Sequence, residues 1–368
     1  MKFFDLGLDE PSLRRALDAA YHRVMDSGRM VLGPEVEAFE AAFAGYCGAS
    51  HGVGVGNGLD ALVLALRAAA VGPGDEVIVP SHTFAATWMA VTAVGATPVP
   101  AEVDAATFTL DPAAAEAAVT PRTAAIIPVS LYGHPAEMTA IMALAERHGL
   151  FVLEDAAQSH GAACRGRRTG SLAHATAFSF YPTKNLGALG DAGALVTDDA
   201  ELAAKVRRLR NYGSEQKYVH EEQGANSRLD ELQAAFLGVR LQGLELANGR
   251  RRAVAGVYAE RLAGLESVVT PTQAEWAHHV YHLYAIRSPA RDALQSHLRS
   301  RGVETLIHYP VPCHRQPAFA DLGFAVGAFP LAEALAAQVL SLPMWPGMPV
   351  ADVEAVADAV TLFETGPT

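Results

Sequence analysis

The 368 residues, half of them hydrophobic, are enough to build two packed cores. With 40 acidic side chains against 28 basic ones, a formal net charge of -12, the surface is not one that holds nucleic-acid phosphates. Three widely spaced cysteines, Cys47, Cys164 and Cys313, offer neither a disulfide framework nor a paired metal-ligand set, which suits a reducing cytoplasm. The first residues turn acidic without an apolar stretch, so no secretory signal is expected. The uncharged run 77–101 is too interrupted by Pro80, Gly95 and Pro98 to span a bilayer.

Taken in chain order, the first informative stretch is GVGVGNGLDAL, 52–62, just ahead of a helical pattern. Its G-x-G-x-G-x-G spacing is not the dinucleotide fingerprint G-x-G-x-x-G. A helix opening at Gly58, Leu59 and Asp60 nevertheless suits any phosphate, because unpaired N–H groups and the positive end of the helix dipole converge there. Short apolar strands bounded by Gly, Pro or Asp are expected at 76–80, 97–103, 124–130, 151–155, 175–180 and 193–197, with helices at 84–95, 111–119 and 135–148 between the first four. That cadence predicts an α/β fold with a mostly parallel sheet covered on both faces. The rhythm then changes to long helices at 229–246 and 249–265. A strand at 278–286 and helices at 290–302 and 351–363 make a smaller α/β unit. The expected division is a large unit of 1–247 and a small one of 248–368. The basic runs 165–168, 205–210 and 250–252 read as solvated turns or helix faces.

Ligands in such sheets bind beyond the carboxyl ends of the strands, which directs attention to the residues found there. Asp155 ends one strand, and Lys184 comes after another in FSFYPTKNLGALGDAG. A lysine held partly neutral attacks an aldehyde to form a Schiff base, and a carboxylate at a neighbouring strand end is what pyridoxal phosphate needs at its ring nitrogen. On this reading the backbone of Gly58, Leu59 and Asp60 and the hydroxyl of Ser179 hold the phosphate, and Phe84 and Trp88 stack on the ring. Taken singly, each residue has a bland alternative as a helix cap, a solvated lysine or core. Two rivals carry less: His278, His279 and His282 with His308 and His314 lack a carboxylate or Cys to complete a zinc set, so no metal is expected, and a dinucleotide dehydrogenase gives Lys184 no task.

The motifs EDAAQSHGA, FSFYPTKNLGALGDAGALVT, LRNYGSEQKYVHEEQGANSRLDELQAAFL and IHYPVPCH resemble the DegT family of nucleotide-sugar aminotransferases, from about residue 5 to 362. The resemblance implies a fold-type I enzyme with a mostly parallel seven-stranded sheet and a smaller C-terminal α/β domain. It implies Lys184 as the Schiff-base lysine, Asp155 at the pyridine nitrogen, Gln158 at the ring hydroxyl and Ser179 at the phosphate. It also implies that Asn226 reaches the phosphate from the other subunit of a homodimer with shared active sites. Glutamate would donate the amino group and a nucleotide-linked sugar would receive it, with Tyr212, His282, His308 and Tyr309 as candidates for the sugar pocket. NGLDAL and ATW are similar to the branch acting on dTDP-3-keto-6-deoxyhexoses. A 4-keto-sugar enzyme and a non-catalytic regulatory relative are the alternatives, and the pathway, surface polysaccharide or secondary metabolite, stays open. Two departures stand out: Leu59 where many relatives carry Thr, and Ser130 where the usual motif has His.

Overall fold

The protein is described by a computed structural model covering residues 1–366, so the last two residues of the expected small unit lie outside the described residues. Seven strands form one sheet; in spatial order they are His51–Val55, Gly193–Thr197, Ala175–Ser179, Phe151–Asp155, Thr123–Ile126, Glu76–Pro80 and Thr97–Ala101. All run parallel except Gly193–Thr197, which is antiparallel to both its neighbours. Glu76–Pro80 is buried at all five positions and Phe151–Asp155 at four, the continuous burial of strands covered on both faces.

The helix Gly58–Ala68 shows why this sequence makes this element. Asn57 caps it, its side chain accepting from the Asp60 N–H at 2.9 Å, and Ala61, Leu62, Leu64, Ala65 and Leu66 are all buried against the sheet and its flanking helices. Burying each of these leucines contributes roughly 1.5–3 kcal/mol before the cost of ordering the chain. On the opposite face, Phe39 and Phe43 of the helix Pro34–Cys47 pack edge-on against Phe178 and Phe180.

A second core surrounds the pair Tyr284–Arg287 and Val339–Leu342 and is built from Val254, Tyr258, Leu294, Leu298, Val353 and Val360. The amino-terminal segment is strapped across this unit: Phe3 N–H donates to Glu304 Oε2 at 3.1 Å, and Met344 N–H to the Phe3 carbonyl at 3.3 Å.

Four sequence expectations need correction. His51–Val55 is an edge strand hidden by its glycines; a Cβ on Gly52 would lie 2.5 Å from the Glu40 carbonyl and one on Gly54 2.7 Å from Leu229 Cβ, so only glycine lets these elements meet. The helices expected at 229–246 and 249–265 are Glu231–Leu241 and Leu244–Arg261; the break falls at Gln242–Gly243, and the second helix runs across the expected boundary at 247. The strand expected at 278–286 survives only as Ala277–His278 and Tyr284–Arg287, because Tyr281 adopts φ +45° between them. The basic runs are not uniformly solvated. Arg251 is buried, and Arg210 is buried in an ion pair with Glu40.

Candidate active site

The strand ends meet at a cavity of about 500 Å³. Its floor at one end is the start of the helix Gly58–Ala68. With the Asp60 N–H taken by Asn57, the N–H groups of Gly58 and Leu59 have no acceptor among the described residues, and both residues line the cavity. Gly58 packs so closely on the neighbouring strand that a Cβ there would sit 2.7 Å from Ser179 Cβ. Absence of a side chain is what brings the Ser179 hydroxyl beside the helix N-terminus.

Lys184 and Asp155 open on the same cavity. The turn after Ala175–Ser179 is closed by the Lys184 N–H donating to the Tyr181 carbonyl at 2.8 Å. Burial pulls the Lys184 ammonium down to about 8, against the opposing pull of the Asp155 charge. Burial pushes the Asp155 carboxyl above its usual range; the Thr87 hydroxyl, donating to Oδ2 at 2.8 Å, and the Ala157 N–H, donating to Oδ1 at 3.1 Å, hold it back towards the ionised form, as does Lys184.

Gln158 is fixed at both ends of its amide: Oε1 accepts from the Tyr132 N–H at 2.7 Å, and Nε2 donates to the Tyr309 hydroxyl at 3.0 Å. The Tyr132 hydroxyl donates to the His308 carbonyl, so His82 Nε2, 2.9 Å from that hydroxyl, is the donor to it. Burial takes His82 down to about 4, keeping it neutral. Phe84, half-exposed at the cavity mouth, faces the Tyr309 ring at 5.2 Å.

The family model described as the DegT/DnrJ/EryC1/StrS aminotransferase family matches residues 11–361. The chain belongs to this family. DegT aminotransferases depend on pyridoxal phosphate, and the expected fold class is borne out. The chain is 56% identical, over 97% of its length and 94% of the relative's, to a dTDP-3-amino-3,4,6-trideoxy-alpha-D-glucose transaminase of Streptomyces venezuelae. It superposes with a TM-score of 0.98 and 54% identity on S. venezuelae DesV in complex with a ketimine intermediate, covering 100% of this chain and 99% of that one. With ntda from Bacillus subtilis, crystallised with bound cofactor pmp, the TM-score is 0.91 at 32% identity, covering 99% and 85% of the two chains.

Of the residues singled out from the sequence, Gly58, Leu59, Phe84, Asp155, Gln158, Ser179, Lys184, His282, His308 and Tyr309 all line the one cavity. Three expectations do not hold in the form stated. Trp88 is fully buried, its indole donating to the Pro80 carbonyl at 3.0 Å and its ring 5.2 Å from Phe319, so it is core rather than a stacking face. Asp60 has its N–H occupied by Asn57, and its carboxylate accepts from Ser227 Oγ at 2.5 Å. Tyr212 is exposed and does not line this chain's own cavity; Asn226, exposed on the segment joined to it by the Tyr212 N–H to Ala225 carbonyl bond of 2.8 Å, does not line it either, but its expected task is in the other subunit's site.

Sequence reasoning passed over Thr87, Tyr132 and Asn185, whose roles are to hold other side chains. The Ser130 replacement now has a physical account. Its hydroxyl donates to Glu154 Oε1 at 2.6 Å and accepts from the Ala136 N–H at 3.0 Å. Glu154 and Asp155 point to opposite faces of their strand, and burial pushes Glu154 up to about 7.

Proposed function

We propose that this aminotransferase binds pyridoxal 5′-phosphate at Lys184 and moves an amino group from L-glutamate to the C3 keto group of a dTDP-linked 6-deoxyhexose. The observation that carries the reading is a buried lysine whose ammonium is lowered to about 8 and a buried carboxylate opening on one cavity, behind a helix N-terminus whose Gly58 and Leu59 N–H groups have no acceptor among the described residues. The donor set fits the cofactor: Gly58 and Leu59 N–H with Ser179 Oγ for its phosphate, Asp155 for its ring nitrogen, Gln158 Nε2 for its ring hydroxyl, Phe84 as a stacking face and Lys184 for its aldehyde.

When bound, pyridoxal phosphate supplies the aldehyde carbon and an electron-withdrawing ring. Lys184 Nζ takes a proton at the carbon losing nitrogen and returns one at the carbon gaining it. At about 8, it is neutral in about a tenth of molecules near pH 7, against roughly one in three thousand for an ordinary lysine. Asp155, ionised, keeps the ring nitrogen protonated, and Thr87 and Ala157 orient it. His282, His308 and Tyr309 form the wall for the sugar.

Assignment to C3 and to a dTDP sugar is supported by the S. venezuelae relative's substrate. In a homodimer, Asn226 and Tyr212 of each protomer complete the partner's site, a reading supported by their exposure outside their own chain's cavity. The division into a cofactor-binding unit, 1–247, and a smaller unit, 248–368, is supported by the separate core around Tyr258 and Val356. A cytoplasmic setting accords with three free, buried cysteines; among the described residues no helix is long and apolar enough to cross a membrane.

The test is the reverse reaction of purified protein with 2-oxoglutarate and a panel of dTDP- and UDP-linked 3-amino and 4-amino sugars. Consumption of dTDP-3-amino sugars is expected; consumption of 4-amino sugars alone overturns the position, and no amino transfer at all overturns the enzyme reading in favour of a regulatory one. Lys184→Ala is expected to bind the cofactor without a borohydride-trappable link and to lose turnover. Mixed dimers of Lys184→Ala with Asn226→Ala regain activity only if sites are shared between subunits.

A further inference from the structure

His282 lines both the main cavity and a smaller recess of about 240 Å³, whose walls combine apolar residues such as Phe3, Leu306 and Met344 with the polar Tyr181, Thr183 and His308. Its protonation is decided by a chain of amides anchored on carbonyls. Asn248 Nδ2 donates to the His160 carbonyl at 2.8 Å, which turns Asn248 Oδ1 towards Asn185. Asn185 Nδ2 then donates to that Oδ1 at 2.8 Å and to the Val280 carbonyl at 3.1 Å, using both its hydrogens. A backbone carbonyl only accepts, so neither amide has the option of reversing. Asn185 Oδ1 is therefore what faces His282 Nδ1, at 3.2 Å, and that nitrogen must carry the proton.

A second proton on the ring is disfavoured by burial and by the surrounding Lys184, Arg251, His308 and His160. Arg251, one helical turn beyond Asn248, donates to the Tyr281 and His282 carbonyls at 3.3 and 3.2 Å and fixes the backbone that carries the ring. The remaining ring nitrogen, Nε2, has a lone pair and no hydrogen-bond partner among the described residues, on a residue that lines both the main cavity and the recess.

We infer that His282 Nε2 is the hydrogen-bond acceptor for a hydroxyl of the sugar. The inference rests on the sugar-aminotransferase reading above and sharpens it. An acceptor-only nitrogen discriminates between the two substrates. A sugar hydroxyl donates to it, whereas the carboxylates of glutamate have no proton to offer and meet a lone pair.

The experiment separates the half-reactions. Single-turnover kinetics of the holoenzyme dimer are followed by cofactor absorbance, first with glutamate, then with the dTDP-3-keto sugar, for wild type, His282→Phe and His282→Gln. Failure of the wild type to react with glutamate refutes the aminotransferase reading itself, an outcome distinguishable from any result of the His282 variants. His282→Phe is expected to weaken kcat/KM of the sugar half-reaction at least about tenfold more than that of the glutamate half-reaction, mostly in KM, as loss of one buried hydrogen bond implies. Gln, whose amide oxygen substitutes for Nε2, restores most of the difference. Nitrogen-15 NMR of the holoenzyme's histidines should show His282 protonated at Nδ1, and Asn248→Leu should convert it to a mixture. Equal loss in both half-reactions, no loss in either, or an Nε2-protonated ring overturns the assignment.

Discussion

Thr87→Val removes one oxygen from a fully buried site and nothing else of consequence, which makes it a clean probe of the Asp155 carboxylate. The lost bond is the 2.8 Å donation from Thr87 Oγ1 to Asp155 Oδ2; Thr83 Oγ1, 3.2 Å from Thr87, loses its neighbour too. Hydrogen bonds to ionised groups contribute about 1.5–3 kcal/mol net, and about 1.4 kcal/mol corresponds to one pH unit. Asp155 is already pushed up by burial, and Thr87 is the strongest of the influences holding it down. Removing that donor favours the neutral carboxyl, so the acid limb of the glutamate half-reaction should move up by about one to two pH units. Affinity of the apoprotein for pyridoxal phosphate should fall about tenfold near pH 7, since the carboxylate facing the ring nitrogen loses the donor that most favours its ionised form. Thr87→Ser should restore both. The measurements are a pH series of single-turnover rates and a cofactor titration by fluorescence quenching. An acid limb within about 0.3 unit of wild type, with unchanged affinity, refutes the reasoning.

Glu154 gives a stability prediction. Its folded value of about 7 lies above its unfolded one, so the native state holds the extra proton and stability falls as pH rises from about 4.5 to 7. Glu154→Gln should flatten that slope and be more stable than wild type near pH 8 by about 3 kcal/mol before any loss in the Ser130 bond; thermal melts from pH 5 to 8 with parallel slopes for both proteins would falsify this. Trp88→Phe should lower stability by about 1–3 kcal/mol, through the lost bond to Pro80 and a residual void, and leave cofactor affinity unchanged. A large affinity loss in that variant would mean the ring stacks on the cofactor after all. Leu59→Thr adds a hydroxyl at the helix N-terminus and should tighten cofactor binding by about threefold or more; no gain would show that the backbone N–H groups already satisfy the phosphate.

Features of the fold were legible in the sequence where the interactions that set them are local. Glu76–Pro80, Phe151–Asp155 and Gly193–Thr197 lie where their apolar runs and bounding residues put them, and Lys184 and Asp155 stand out because ligands gather at strand ends. His51–Val55 was illegible because its glycines answer to close packing against Glu40 of the preceding helix and Leu229, far along the chain, contacts that no alternation of side chains records. Trp88 was misplaced for a geometrical reason. Phe84 and Trp88 are four apart, as if on one helical face, but Phe84 is the extended N-cap of the helix Ala85–Ala93, so it points to the cavity while Trp88 points to the core.

The second of the long helices shows the same limit in functional terms. Its composition suggested a boundary near 247, yet Asn248 and Arg251, one turn apart on it, hold the turn at His160, the amide next to Lys184 and the backbone of His282. Nothing in local pattern marks Asn248, a buried polar residue whose role is set entirely by the carbonyls and amides brought to it by the fold. The reactive residues were readable because their chemistry is rare. Those that orient them were not, because asparagine and threonine acquire a task only from their partners, and the amine at Lys184 is placed only as well as Asn248 holds the loop that carries it.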